Sequence, residues 1–568
     1  MAGQVGLGEL ECAADSPGVH VEERPNRGCC LVASRRLRAG SEIFRGGEEA
    51  ALAVVGDDLV TSSICAGCMC SESAGVVEGY CSVECASCDS EALQTVVRAM
   101  RRAAAVTPHA AKAHQRMLQY MMALRTTRCA DSHAPPPPGL LPPTCETLAW
   151  HDCASAPMDL MANSAIVLRA QQAPVVAAAD LQPLYSNESA LQALSVLQCN
   201  AMAIVSDDPA TSTWRGNRPE ERQGHKVGVG LFPRHARMNH SCRPTASLYF
   251  SCVAARRPRV HARLLRNVEA GEEITITYVD LFATRAARRD ELRRRYHFEC
   301  VCERCGPATS DEARVACELS GVRDGMGGDA EEEEHIGCLE RTIDELLELK
   351  LGEEDAALET GAAAAAAAAG GHTLDTALAR VAHASAVLVP AHAVLVRARR
   401  TIYRACMGLG RFDDAAQQVR AERCALASVL PLHHPDLAAA AVTLAHCIAR
   451  SASAEALLLL LQTRFAYKSI AAIDERLAPL TSPPLSLNER LALLKSSAAL
   501  YFQACKTLTV CRGDEHILTV AAQKIATRAL ALLNVLRQRL GKIKAMWAVG
   551  TADQTAAVPQ ESAPPEHH

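Results

Sequence analysis

Two groups of closely spaced cysteines and one short polar stretch hold the residue types most able to do chemistry. Cys65-x2-Cys68 and Cys81-x3-Cys85 are two short-spaced pairs. Four thiolates at this spacing can close a tetrahedral zinc site and let a small loop fold with little core. The other reading is a set of unligated thiols. Cys70 and Cys88 are spare. The second group, Cys300-x-Cys302-x2-Cys305 in FECVCERC, can converge on one ion but leaves it a ligand short. Cys242, in RMNHSCRPTASLYF, is the best candidate for the fourth thiol. In that stretch Asn239, His240, Ser241 and Cys242 set an amide, an imidazole and a thiol side by side. Either this is an ordinary polar loop, or it is a strand end that holds a cofactor while its thiol binds a metal.

The elements that must position these groups follow from composition. At 568 residues the chain exceeds one ordinary core, so two to four domains are expected. A net charge of -5 argues against a general nucleic-acid binder. No apolar run reaches the roughly 20 residues of a membrane helix, and the N-terminus lacks the pattern of a secretory signal. An intracellular chain is expected, in the nucleus, the cytoplasm or both. Disulfides are uncommon there. Closely spaced members of the 25 cysteines therefore read as metal ligands. Others, such as Cys199 and Cys447, read as small buried residues.

Strand-like pieces occupy CCLVAS, IFRG and ALAVV, and return in VGVGLF, ASLYF, VHARLL and ITITYV. RAARRDELRRR, at 285–295, reads as a short exposed basic helix. EEEEH and GAAAAAAAAGG read as an exposed acidic segment and a linker. From about residue 374 the pattern is helical. Tyr403, Leu409, Gly410, Phe412 and Ala415 sit where a tetratricopeptide-like (TPR-like) helix pair places bulky and small residues. A plain helical bundle is the alternative.

NHSCRP, then GEEITITYVD, then RRRYHFECVCERC resembles the SET-domain protein lysine methyltransferases. The early cysteine insert and helical C-terminal half are similar to the SET-and-MYND subfamily. The resemblance implies an α+β fold: a SET β-fold with an inserted zinc-binding MYND-like module and a helical SET insert, followed by an all-α TPR-like domain. The implied divisions are 20–60 for the N-terminal SET part, 61–90 for the zinc insert, 91–196 for the helical insert and 197–298 for the SET core. The post-SET zinc motif is 299–306, the acidic and Ala-rich linker 307–373, the helical domain 374–545 and a disordered tail 546–568.

The resemblance also implies roles. Arg27, Gly28 and Cys29 lie in the turn that meets S-adenosylmethionine, with Cys30 where a second glycine is usual. Asn200 contacts the methionine part, and Asn239 and His240 the adenine end. Tyr278 orients the lysine amine and also contacts the cofactor. Tyr296 and Phe298 wall the lysine channel and cover the cofactor, with Tyr296 placed beside Tyr278 among the catalytic residues. Thr245 stands where asparagine is usual, which would weaken a bond to the threaded segment. Glu272 and Glu273 read as turn and strand-start residues. One zinc is expected on Cys65, Cys68, Cys81 and Cys85, since the second ligand set of a MYND module is missing. Another is expected on Cys242, Cys300, Cys302 and Cys305. The implied function is methyl transfer from S-adenosylmethionine to a lysine of a histone or non-histone protein. The alternative is a non-catalytic SET and zinc scaffold that binds proteins. The chain is expected to be a monomer, with a protein substrate, partners on its helical domain, and neither membrane nor direct nucleic-acid binding.

Overall fold

The computed structural model describes residues 18–25, 27–44, 48–50, 53–56, 65–68, 70, 80–87, 201–206, 225–232, 235–252, 258–296, 298–306, 320, 329–348, 361–453 and 485–555, with scattered positions within 91–98 and 474–477. Most of the expected helical insert, and Asn200 and Cys199, lie outside these residues.

The β region is built from antiparallel pieces. Strands β1 (Val19–Arg24) and β2 (Gly28–Ala33) form a hairpin that pairs Val19 with Ala33 and Arg24 with Gly28. A sheet of order β3-β8-β7 joins Glu48–Ala50, Arg259–Leu264 and Ala246–Ser251, and a second of order β4-β6-β5 joins Ala53–Gly56, His225–Leu231 and Ala201–Ser206. Along β8 every second side chain is buried, the period of a strand with one face on a core. That core gathers Leu31, Ala33, Phe44, Met238, Ala262, Leu264, Ile274 and Ile276.

ITITYV, expected as a strand, instead runs as an extended segment held by single bridges. Ile274 N–H donates to Leu31 O at 2.7 Å, Ile276 N–H to Asn239 O at 2.9 Å, and Ser241 N–H to Ile276 O at 2.9 Å. His240 and Ile276 pair in parallel. The segment thus threads between β2 and the 239–241 loop, too tightly flanked for a long ladder with either.

Helix α1 (Val83–Ser87) sits in the first cysteine group, and α2 (Arg285–Tyr296) covers RAARRDELRRRY. The segment expected as a linker contains α3 (Asp329–Glu348) and the start of α4 (Gly361–Val387). The alanine run is therefore helical, as its intrinsic propensity favours. Helices α5 (Ala393–Gly408), α6 (Phe412–Val429), α7 (Pro435–Ser451), α8 (Leu487–Arg512) and α9 (Ile517–Thr555) follow. Helix α9 continues past residue 545, where the sequence placed a tail. Pro435 opens α7, and the His434 side chain accepts from Asp436 N–H. Cys447 is fully buried.

Among the described residues, the helical region meets the β region at several points. Val279, Phe282, Leu292 and Cys300 share a core with Val396, Leu426 and Ala440. At the end of α8, Arg512 Nη1 donates to Leu248 O at 2.6 Å and to Ser247 Oγ at 3.1 Å. Its guanidinium lies 5.5 Å from the Tyr249 ring centre.

Candidate functional site

The hairpin turn supplies one wall. Gly28 adopts φ +64°, a left-handed conformation that suits glycine. A Cβ there would meet nothing within 4 Å, so the backbone beside Arg27 faces open space. Cys29 has its backbone in β2, opposite Glu23; its side chain lies outside the described ones. Cys30 is fully buried. Its thiol lies 3.4 Å from Asn239 Nδ2, and burial, then the Glu273 charge, pushes it up to about 11. The residue that replaces a usual glycine therefore fills interior space.

Glu273 was read from sequence as a plain turn residue. Its carboxylate instead joins two parts of the site. Oε1 accepts from Asn239 Nδ2 at 2.9 Å, and Oε2 meets Arg27 Nη2 at 2.9 Å. Asn239 Nδ2 also donates to Arg27 O at 3.2 Å. No sequence signal beyond GEE marked this carboxylate, because its partners lie far away in the chain.

His240 links the polar stretch to both the metal set and the aromatic residues. Its Nδ1 accepts from Tyr278 N–H at 3.0 Å. That assigns the proton to Nε2, which lies 3.2 Å from Cys242 Sγ. Burial pulls the imidazole down to about 4, so the ring is neutral at pH 7. Tyr278 O–H donates to Met238 O at 2.8 Å. The Tyr278 and Tyr296 rings are 4.8 Å apart, and Phe298 lies 6.1 Å from His240. Tyr278, Tyr296 and Phe298 are all half-buried, so they form a rim.

Thr245 differs from the expectation of a weakened bond. Its backbone N–H donates to Thr275 O at 3.1 Å and its Oγ1 accepts from Thr275 N–H at 2.8 Å. The shorter hydroxyl still reaches the threaded segment because the two threonines run side by side in the interior.

The cysteines converge as two sets. Within each set of four, the sulfurs all lie within 4.8 Å of one another: Cys65, Cys68, Cys81 and Cys85, and Cys242, Cys300, Cys302 and Cys305. Cys65 to Cys85 is 3.6 Å, Cys68 to Cys81 is 3.6 Å and Cys242 to Cys305 is 3.5 Å. Ligands about 2.3 Å from a tetrahedral zinc stand about 3.8 Å apart, so both sets fit the ion. A Cβ at Gly67 would lie 3.1 Å from Cys85 O, so a larger residue there would push on the backbone of the ligand Cys85. In the second set, the hydrogen bond with Cys242 pushes Cys300 far up, while bonds led by Cys242 hold Cys302 well below the thiol range. Cys305 is drawn to about 6. A metal bound by such a set requires its thiols as thiolates, so binding releases their protons.

Residues 28–279 match the family model of the SET domain. Histone-lysine N-methyltransferase SMYD3 of Mus musculus is 44% identical over 86 residues, covering 15% of this chain and 19% of that protein. Smyd1 of Mus musculus is 30% identical over 107 residues, 17% of this chain and 22% of that protein. N-lysine methyltransferase SMYD2 of Homo sapiens is 28% identical over 129 residues, 23% of this chain and 25% of that protein. The chain carries a SET domain and is similar there to the SET-and-MYND methyltransferases. These matches span only 19% to 25% of those relatives' own length. Within the SET region the structure brings together Arg27, Gly28, Asn239, His240, Tyr278, Tyr296 and Phe298. The four MYND-like thiols form their own set, and among the described residues they are joined by backbone Cys81 N–H, which donates to Cys65 Sγ at 3.3 Å.

Proposed function

We propose that the protein is an S-adenosylmethionine-dependent protein lysine N-methyltransferase, with a histone or non-histone protein as substrate. One observation carries the reading. His240 joins Tyr278 of the aromatic rim to the sulfur set, and Asn239 beside it donates to Arg27 O in the hairpin turn.

When bound, S-adenosylmethionine would supply a sulfonium methyl for in-line transfer to a neutral amine. Arg27 and the backbone at Gly28 would hold it on one side, and Asn239, His240 and Phe298 on the other. The Tyr278 proton is directed at Met238 O, so toward the lysine amine the phenolic oxygen would act as an acceptor. Tyr278 thus orients the amine and does not serve as an acid. Tyr296 and Phe298 surround the entering side chain with apolar surface, which favours loss of its proton. Holding both reactants in line supplies much of the rate, up to about 7 to 11 kcal/mol in well-oriented cases. Zinc on each sulfur set would be structural, since four protein ligands leave no open position. We read the C-terminal helices as a TPR-like array that bears protein partners. Supporting this, α5 and α6 follow each other across a short turn at Gly410 and share one core with α3 and α4.

Calorimetry of the zinc-loaded chain with S-adenosylmethionine tests the reading: saturable binding is expected. No binding leaves the scaffold alternative. With labelled cofactor and a protein substrate, Tyr278→Phe is expected to lower transfer roughly 10²-fold, as a misplaced amine would, while cofactor affinity stays near wild type. Unchanged transfer would remove Tyr278 from its role.

A further inference from the structure

A fully buried arginine lies among the thiols of the second set. Arg288, on α2, has 0% of its surface exposed. Its Nε donates to Cys242 Sγ at 3.3 Å, its Nη2 to Cys305 Sγ at 3.8 Å and its Nη1 to Ala283 O at 2.7 Å. A guanidinium is always charged. Burying it is costly unless an opposite charge meets it. Neutral thiols are weak acceptors and offer no such charge. Four thiolates around one divalent cation carry a surplus of about two negative charges, and most of this set is closed off from water. Each partner thus supplies what the other needs.

We propose that Arg288 is the counter-charge of the second zinc centre, a positioning residue that offsets part of the thiolate charge and fastens α2 to the ion. The inference rests on the zinc reading above. Two neighbouring arginines have a different task. Arg285 donates to Cys305 O at 2.7 Å, and Arg304 to Cys242 O at 3.0 Å and Leu281 O at 3.1 Å. These bonds hold the backbone of the ligand loops, whereas Arg288 reaches the sulfurs themselves. Tyr296 ends the same helix, so the pairing also steadies the aromatic rim.

The test uses the full zinc-loaded chain and follows metal release to a chromogenic chelator. Cys302→Ser identifies which release phase belongs to the second set. Arg288→Met fills similar volume without charge; Arg288→Lys keeps the charge and loses the fork. Loss of an outer partner of a metal site weakens metal affinity about 10- to 100-fold. The Met variant is expected to lose second-site zinc that much more readily with the first site unchanged, and the Lys variant to fall between. Second-site release within twofold of wild type in the Met variant overturns the proposal. So does a Lys variant that loses as much as the Met variant, because packing would then explain both. Should Arg288→Met fail to fold, Arg288→Lys is read alone: faster release than wild type supports the proposal, and release within twofold overturns it. A wild-type chain that holds no zinc on Cys242, Cys300, Cys302 and Cys305 overturns the zinc reading itself, and this inference with it.

Discussion

Glu273 holds two donors with its two oxygens, Asn239 on one and Arg27 on the other. Glu273→Gln can accept on one side only and turns its amide hydrogens toward the other donor. Bonds to charged groups contribute about 1.5 to 3 kcal/mol when buried. Arg27 is 35% exposed, so screening reduces the effect to about 1 kcal/mol. Calorimetry should show S-adenosylmethionine affinity lowered roughly fivefold, with turnover at saturating cofactor little changed. An unaltered affinity would return Glu273 to the plain turn role. At this scale the sequence was informative where chemistry is local. The short cysteine spacings named seven of the eight sulfurs by themselves, and the ligand count asked for a distant one that proved to be Cys242. Glu273 and Arg288 were not legible. Their meaning comes from partners brought near by the fold, and neither residue differs from the charged neighbours that flank it in sequence.

Helix α8 shows how one element serves both halves of the protein. It starts with a reciprocal cap: Ser486 Oγ accepts from Glu489 N–H, and the Glu489 carboxylate accepts from Ser486 N–H at 2.8 Å. It ends with Arg512 in the β region. Ser486→Ala is expected to lower stability by about 1 kcal/mol in denaturant unfolding. Arg512→Ala should cost more, roughly 1.5 to 3 kcal/mol. It leaves Leu248 O without this donor and removes the cation above Tyr249. A lower melting temperature than that of the Ser486 variant checks the order of the two effects. Helical patterning marked the region of α5 to α9 as helical, and each of these helices buries apolar residues against its neighbours. The alanine run misled because flanking glycines resemble those of a linker, yet eight consecutive alanines favour a helix strongly enough to continue into HTLDTALARV.

For the whole molecule, the two sulfur sets lie in the β half, whereas the helical core around Leu374, Leu395, Ile402 and Leu444 is apolar packing. Prolonged chelation at neutral pH is therefore expected to abolish S-adenosylmethionine binding while most far-UV helical signal remains. Loss of both together would mean that the helices depend on the metal centres. The separate motifs were legible because the residues of each lie close together along the chain. The threading of residues 274–276 past β2 was not, since alternating apolar residues predict a strand without saying which neighbours it finds.

That threading sets a timetable for biosynthesis. Arg24 reaches Gly271 O from 247 positions away, and Leu31 waits for Ile274. After the first hairpin is made, a ribosome must add about 240 further residues before it meets these neighbours, and contacts so distant close slowly. Nascent chains halted before Ile274 should accordingly stay bound to chaperones, and those released after Cys305 should escape them.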